Sequence, residues 1–108
     1  MGIRKMYFKN KGMCKVTFTL PGDVAKSAKT ACLVGDFNNW EKGVTPMKKA
    51  KDGAFKASVE LMCGNEYQFR YLVNDSIWEN DCNADRYEYS PYGCCDNSVV
   101  IVSGNDNS

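Results

Sequence analysis

Tyr67-Gln68-Phe69-Arg70-Tyr71-Leu72-Val73-Asn74 decides the fold. Tyr67, Phe69, Tyr71 and Val73 fall on one face, and Gln68, Arg70, Leu72 and Asn74 fall on the other. Successive side chains of a strand point to opposite sides, so the aromatic set reads as core and Arg70 as outward-facing beside Gln68. The same period of two recurs upstream. Val16, Phe18 and Leu20 oppose Lys15, Thr17 and Thr19, and Phe55, Ala57, Val59 and Leu61 oppose Lys56, Ser58 and Glu60. Leu33-Val34 is an apolar strand running into Gly35-Asp36, and residues Ser98 to Val102 form a β-branched run. Between these stretches lie Asn10-Lys11-Gly12, Pro21-Gly22-Asp23, Lys51-Asp52-Gly53, Cys63-Gly64-Asn65, Asn74-Asp75 and Pro91-Tyr92-Gly93, each a turn signal. Lys51-Asp52-Gly53 in particular predicts a hairpin. No window sustains a helical period, so the chain reads as an all-β antiparallel sandwich.

A length of 108 residues suits one domain, expected over 1–108 with its core at about 14–102 and a frayed tail at 103–108. A hydrophobic fraction of 44% with 25% charge places it among globular rather than disordered chains. No apolar run approaches the roughly 20 residues that span a bilayer. The basic start, Met1 to Tyr7, is not followed by the apolar stretch of a secretory leader, and the expected location is cytoplasmic. Residues 1–30 hold seven Lys/Arg and one Asp, whereas residues 75–108 hold seven Asp/Glu and one Arg. The two ends are expected to neutralise each other across the folded surface. The lysines are scattered singly, which argues against a nucleic-acid face.

Six cysteines (Cys14, Cys32, Cys63, Cys82, Cys94 and Cys95) would suggest three disulfides in a secreted chain. With no secretion signal, reduced thiols are expected, Cys32 acting as a small apolar core residue. There is no histidine and no C-x-x-C pair, so no metal site or other cofactor is expected.

The chain has two tryptophans, Trp40 and Trp78. Trp40 follows Asn38-Asn39 and precedes Glu41-Lys42-Gly43, a polar context that a core does not need. A pyranose has an apolar face that stacks on an indole and a rim of hydroxyls that pairs with amides and charges. The turn at Asn74-Asp75 delivers Trp78 next to the strand that carries Arg70, so the two share a surface, and a guanidinium offers five donors for adjacent sugar hydroxyls. The competing reading makes Trp40 a plug at one end of the sandwich and Arg70 a plain solvated charge. Ile77, beside Trp78, is the core candidate of its strand. Asn38, Asn39, Asn74 and Asn80 read as turn formers first.

Catalysis finds little support. Glycoside hydrolysis needs two carboxylates about 5–9.5 Å apart. Asp36, Asp75, Glu79, Asp81 and Asp85 each sit in a turn signal, where an acidic residue is expected anyway. The absence of histidine excludes Ser-His and Cys-His nucleophile pairs, and there is no phosphate-cradling glycine loop.

Taken in order, Leu33-Val34-Gly35-Asp36-Phe37-Asn38-Asn39-Trp40, Pro46-Met47, Asp52-Gly53-Ala54-Phe55, Tyr67 to Asn74, Trp78-Glu79-Asn80-Asp81 and Asp96-Asn97-Ser98-Val99-Val100 resemble a family 48 carbohydrate-binding module. This early-set, immunoglobulin-like domain precedes the barrel of isoamylases and glycogen-branching enzymes. It also forms the glycogen-binding part of the AMP-activated protein kinase β subunit. The resemblance implies an immunoglobulin-like sandwich that binds α-1,4-glucan, such as glycogen, starch or a maltooligosaccharide, without catalysis. It also implies a glycoside hydrolase family 13-type enzyme as the partner brought to the polymer, since such enzymes keep their carboxylates in a separate barrel. By resemblance, Trp40 and Trp78 are the two sugar-stacking rings, and Arg70 stands where the family has a lysine. The loop at Tyr92, Cys94, Asp96 and Asn97 contacts sugar. Tyr92 there replaces an aliphatic residue, Cys94 a hydroxyl residue and Asp96 an asparagine. The alternatives are an early-set domain that binds protein and not sugar, and a redox-sensitive loop built on Cys94 and Cys95 or a neighbour such as Cys82.

Overall fold

The computed structural model describes residues 2–8, 12–22, 28–81, 83–89 and 96–103. Among these lie β1 (Ile3–Tyr7), β2 (Met13–Leu20), β3 (Ala31–Gly35), β4 (Lys48–Lys49), β5 (Phe55–Met62), β6 (Asn65–Val73), β7 (Ile77–Glu79), β8 (Arg86–Tyr89) and β9 (Asp96–Val102). Sheet A has the order β1-β2-β5-β4, and sheet B has the order β3-β6-β9-β8 with β7 beside β6. Every pairing is antiparallel. The two sheets face each other as a sandwich, as the alternation predicts, and it is of the immunoglobulin-like, early-set kind that the resemblance implies.

The period of two explains the layering. Cys14, Val16, Phe18 and Leu20 of β2 are buried, and Lys15 between them is exposed. From sheet B, Phe69, Tyr71 and Val73 meet them, joined by Val100 and Val102 of β9. Phe18 of sheet A packs edge-on against Phe69 of sheet B with ring centroids 4.8 Å apart, and Phe69 meets Tyr71 the same way at 5.7 Å. Offset and edge-to-face rings satisfy their quadrupoles while filling space, so this aromatic file fixes the spacing of the sheets.

One segment belongs to both sheets. Thr45 accepts a bond from the Leu33 amide at 2.9 Å, and the Met47 amide donates to Ala31 at 2.9 Å, which ties residues 45–47 to β3. The next two residues form β4 and pair with β5: Lys48 opposite Lys56 and Lys49 opposite Phe55. The expected hairpin at Lys51-Asp52-Gly53 forms there. The Asp52 carboxylate accepts from the Ala54 amide at 3.0 Å, and Gly53 adopts φ +90°, which favours glycine.

Three features depart from the sequence pattern. First, β1 adds an edge strand ahead of the expected core start at residue 14. It pairs with the whole of β2 up to Phe18, although its own residues show only weak alternation. Lys5 on this strand bonds to Asp85 at 2.7 Å, so here the oppositely charged ends of the chain do meet. Second, Ile77 is 51% exposed and is not a core residue. It pairs with Val73 at the last position of β6, where the sandwich runs out. Third, Asp81 is not a turn residue in solvent but is 3% exposed. Its carboxylate accepts from the Tyr71 hydroxyl at 2.6 Å and from the Asn83 amide at 2.7 Å. The Asp81 amide donates to Ser98 Oγ at 2.9 Å, and the Tyr87 hydroxyl donates to the Asp81 carbonyl. A buried carboxylate is tolerated when its lone pairs are filled in this way.

Cys14, Cys32 and Cys63 are free thiols. Burial pushes the Cys14 thiol above its ordinary pKa, partly offset by a hydrogen bond with the Met6 backbone. Thiolate is the reactive form. Iodoacetamide is therefore expected to label the half-buried Cys63 under native conditions while Cys14 and Cys32 react only after denaturation. Peptide mapping by mass spectrometry would read the order, and native labelling of Cys14 as fast as Cys63 would contradict this burial. Among the described residues, no helix is long and apolar enough to cross a membrane.

Candidate functional site

The outward face of sheet B is assembled by register. On β3, Cys32 and Val34 carry the parity opposite to Leu33; on β6, Gln68, Arg70 and Leu72 do the same. Cys32 pairs with Leu72 and Val34 with Arg70. From the other side of β6, Leu72 pairs with Trp78. Leu72 therefore sits in one row between Cys32 and Trp78, on the face that looks away from the core. It is nonetheless only 1% exposed, because Cys32, Val34 and Leu72 form a small second cluster against which the half-buried Trp40 packs. Trp40 and Trp78 thus flank one apolar strip on one face, with Arg70 one position along the same strand.

Trp40 owes its place to a tightly bonded turn. The chain leaves β3 at Gly35 and makes one 3-10 turn over Asp36–Asn38. A Cβ at Gly35 would lie 2.5 Å from the Gln68 carbonyl oxygen and 2.8 Å from Phe69 Cβ, so only glycine lets β6 approach this closely. Asn38 fills three roles: its Oδ1 accepts from the Gly35 amide at 3.0 Å, and its Nδ2 donates to the Leu33 carbonyl at 2.9 Å and to Thr45 Oγ1 at 3.0 Å. Asn39 and Trp40 both take φ +58°, and the Trp40 amide closes back on the Gly35 carbonyl at 2.9 Å. A left-handed conformation costs a residue with a Cβ about 1–2 kcal/mol. Bulky residues held this way concentrate at sites where the surroundings over-determine them.

Asp36 completes the clamp. Its Oδ1 accepts from the indole Nε1 of Trp40 at 2.8 Å, and its Oδ2 accepts from the Gln68 amide at 2.8 Å. One carboxylate thereby ties the ring to the backbone of β6. Asp36 belongs to the motif read in the sequence, but its role was not legible there, because an aspartate after glycine already has a sufficient explanation as a turn former. Asp36→Ala is expected to lower affinity of this face for its ligand several-fold by freeing the ring, with about 1 kcal/mol lost from stability. Asp36→Asn, which keeps an acceptor for the indole, should recover most of the affinity. Titration alongside the indole N–H chemical shift would check this, and equal affinity of the alanine variant would remove Asp36 from the site.

Trp78 arrives through the hairpin expected at Asn74-Asp75. Both residues have positive φ, +52° and +59°, and the Ser76 amide bonds back to the Val73 carbonyl at 3.1 Å. Three residues, Asn74 to Ser76, separate the paired Val73 and Ile77, and this odd number sets Trp78 opposite Leu72 rather than opposite Tyr71. Asn74 Oδ1 also accepts from the Lys29 and Thr30 amides, at 2.8 and 3.2 Å, which anchors the turn. Trp78 is 40% exposed. Lys42, two residues beyond Trp40, carries its ammonium 5.8 Å from the centroid of the Trp78 ring. This cation–π contact links the two tryptophan-bearing segments, and nothing in the sequence marks Lys42 for it.

Of the remaining expected residues, Arg70 is half-buried on the same face, with its Nε covered. Asn97 joins this face as well: its Nδ2 donates to Gln68 Oε1 at 2.8 Å. Asp96 has the other parity, that of the buried Ser98, and its backbone carbonyl accepts from Asn80 Nδ2 at 2.6 Å. Asn80 also accepts from Ser98 Oγ at 2.8 Å, a bridging role beyond turn formation. Tyr92 and Cys94 lie outside the described residues, as do Cys82 and Cys95. At the far end of the face, Arg86 of β8 bonds to Glu66 and Glu88. Glu88 first and Glu66 second raise its pKa above the ordinary guanidinium value.

The Trp40 ring does not plug the main core but packs on a separate cluster on the outside of sheet B. The family described as carbohydrate-binding module 48 (isoamylase N-terminal domain) matches residues 15–93, a stretch that includes Trp40, Arg70 and Trp78. Over 60 residues the chain is 38% identical to the 1,4-alpha-glucan branching enzyme GlgB of Aquifex aeolicus (strain VF5), a match covering 53% of this chain and 9% of that enzyme. The chain spans only a small part of this relative, and the branching activity in its name is that of the whole enzyme. With a match over most of its length, an all-β sandwich, and both tryptophans inside the matched stretch, the chain belongs to the carbohydrate-binding module 48 family.

Proposed function

We propose that the outward face of sheet B binds α-1,4-linked glucan, with Trp40 and Trp78 as stacking rings and Arg70 and Asn97 as hydrogen-bonding groups at the sugar rim. The observation that carries this reading is the row Cys32–Leu72–Trp78 with Trp40 packed on it, since it puts two indoles beside one apolar strip. An α-glucan presents successive rings along a curved chain, and two separated platforms on one face suit successive or nearby rings. Similarity to a 1,4-alpha-glucan branching enzyme supports the α-1,4 linkage. Asp96, Tyr92 and Cys94 belong to the proposed site on the strength of the family resemblance, the last two lying outside the described residues. The module itself performs no catalysis, works in the cytoplasm, and brings a partner enzyme of the glycoside hydrolase family 13 type to glycogen, starch or shorter maltooligosaccharides.

Two stacked rings and a few hydrogen bonds correspond to a dissociation constant on the order of 10–1000 µM for a short oligosaccharide. The test is a titration of the reduced protein, followed by tryptophan fluorescence and indole N–H resonances. Maltoheptaose and β-cyclodextrin are expected to give saturable changes at both tryptophans, and cellohexaose none. Silence at millimolar α-glucan would replace this reading with that of a protein-binding early-set domain. Arg70→Ala should weaken binding tenfold or less, since one partly solvated hydrogen-bonding group contributes about 0.5–1.5 kcal/mol.

A further inference from the structure

The opposite side of the sandwich carries an arrangement that the glucan face leaves unexplained. Lys48 of β4 and Lys56 of β5 are directly paired across the strands, and both are exposed. Like charges at paired positions repel and weaken a sheet. Each strand could carry a different residue there at no cost to the core, because both side chains point to solvent. The pair stands at a groove of about 500 Å³ lined by Thr17, Val44, Thr45, Pro46, Lys48, Lys56, Ala57 and Ser58. The volume falls within the range of about 300–1,000 Å³ typical of small-molecule clefts. Among the described residues, no carboxylate lines it.

The groove exists because the chain changes sheets. Residues 45–47 pair with β3 in sheet B, and only Lys48 and Lys49 reach β5. Next to the point of departure, the outward row of sheet A is left open over Thr17 and Ser58. Thr17 Oγ1 and Ser58 Oγ lie 2.9 Å apart and share one hydrogen bond. Whichever of them donates, the other keeps its O–H for an incoming acceptor. The groove therefore gathers two ammonium groups and a hydroxyl donor on one side. Val44, which is 53% exposed, faces them with Pro46 as an apolar wall.

We propose that this groove is a second ligand site, taking a phosphate monoester carried on a sugar. Lys48 and Lys56 hold the dianion, the Thr17–Ser58 hydroxyl pair donates to it or to the sugar, and Val44 and Pro46 lie against the sugar ring. Two lysines suit a tetrahedral anion, because each ammonium is a point charge that adapts to any oxygen. A bare phosphate would use only the lysine end of the groove. The site lies on sheet A, across the sandwich from the indoles, so it is independent of glucan binding by sheet B.

The test is a nuclear magnetic resonance titration of the 15N-labelled protein at constant ionic strength, with glucose 6-phosphate, glucose and inorganic phosphate as probes. Glucose 6-phosphate is expected to shift the amides of Thr45, Lys56, Ala57 and Ser58 saturably, with a dissociation constant in the low millimolar range, and to leave the Trp40 and Trp78 indole signals unmoved. Glucose should give no response. The double variant Lys48→Gln/Lys56→Gln should bind at least tenfold more weakly while melting no lower than the parent, since it loses a repulsion. A phosphorylated maltooligosaccharide distinguishes the source: tighter binding than glucose 6-phosphate assigns the ester to a glucan chain, and equal binding assigns it to a free hexose phosphate. No saturable shift up to about 20 mM, or shifts unaltered in the double variant, would overturn the site. Equal affinity for inorganic phosphate would overturn the sugar assignment.

Discussion

Alanine at Trp78 is expected to weaken maltoheptaose binding about 10- to 60-fold while the domain stays folded. A sugar ring stacked on an indole removes about 60–100 Å² of apolar surface from water, a contribution of roughly 1.5–2.5 kcal/mol, and the loss of that energy gives the stated factor. The fold should survive because Trp78 is 40% exposed on a three-residue strand and its row partner Leu72 stays covered from the other side by Trp40. Trp40→Ala is expected to lose affinity by a similar factor. It should also lose about 1–2 kcal/mol of stability, because its ring shields Cys32, Val34 and Leu72. Calorimetric titration with thermal melts of each variant separates the two effects. Unchanged affinity in either variant would remove that ring from the site, and unfolding of Trp78→Ala would make the ring structural.

The largest loss of stability outside the aromatic core is expected for Asp81→Ala. The substitution leaves the buried Tyr71 hydroxyl and the Asn83 amide without their acceptor. Losing the acceptor of the buried Tyr71 hydroxyl costs about 1–3 kcal/mol, and the amide of the exposed Asn83 adds little because water can reach it, so a total of about 1–3 kcal/mol is expected. For a domain of this size that lowers the melting midpoint by roughly 5–20 °C. A double-mutant cycle with Tyr71→Phe checks the cause: removing both partners should cost clearly less than the sum of the single losses. Additive losses would show that the Tyr71–Asp81 bond is not the source. The substitution lies away from the indoles, so glucan affinity of the folded fraction should be unchanged.

How far the sequence could be read depended on whether a residue answers to a local rule. β2 and β5 alternate because one side of each meets the core and the other meets water, and β6 does so except near its end, where the outward Leu72 is buried in the cluster against which Trp40 packs; their faces were assigned residue by residue. β1 escaped because it is an edge strand with only Ile3 packed on the core, so its burial pattern carries little period. β8 escaped for a similar reason: its aromatic residues Tyr87 and Tyr89 are 44% and 70% exposed. The outward face of Arg70 was legible from strand parity; that Trp78 shares it depends on the three residues between Val73 and Ile77, since a two-residue turn would set Trp78 opposite Tyr71 on the core side. The packing of Trp40 against Leu72, the Asp36 clamp and the reach of Lys42 over Trp78 were not legible. Each depends on residues brought together by pairing of β3 and β7 with β6, and no spacing along the chain encodes that. Asp81 misled for the opposite reason: its local setting matches a solvated turn, and only Tyr71, ten residues earlier, makes it a buried acceptor.

The segment that leaves β3 at Met47 and joins β5 at Lys48 also bears on how the molecule opens. Hydrogen bonds on both sides of one peptide step belong to different sheets, so neither sheet peels away without dragging the other's edge. Partial opening confined to one layer is thereby suppressed. The amides of Leu33 and Met47 should exchange with deuterium only when the whole domain unfolds, and a polymer tugging on the indole-bearing face loads both layers together as one mechanical unit.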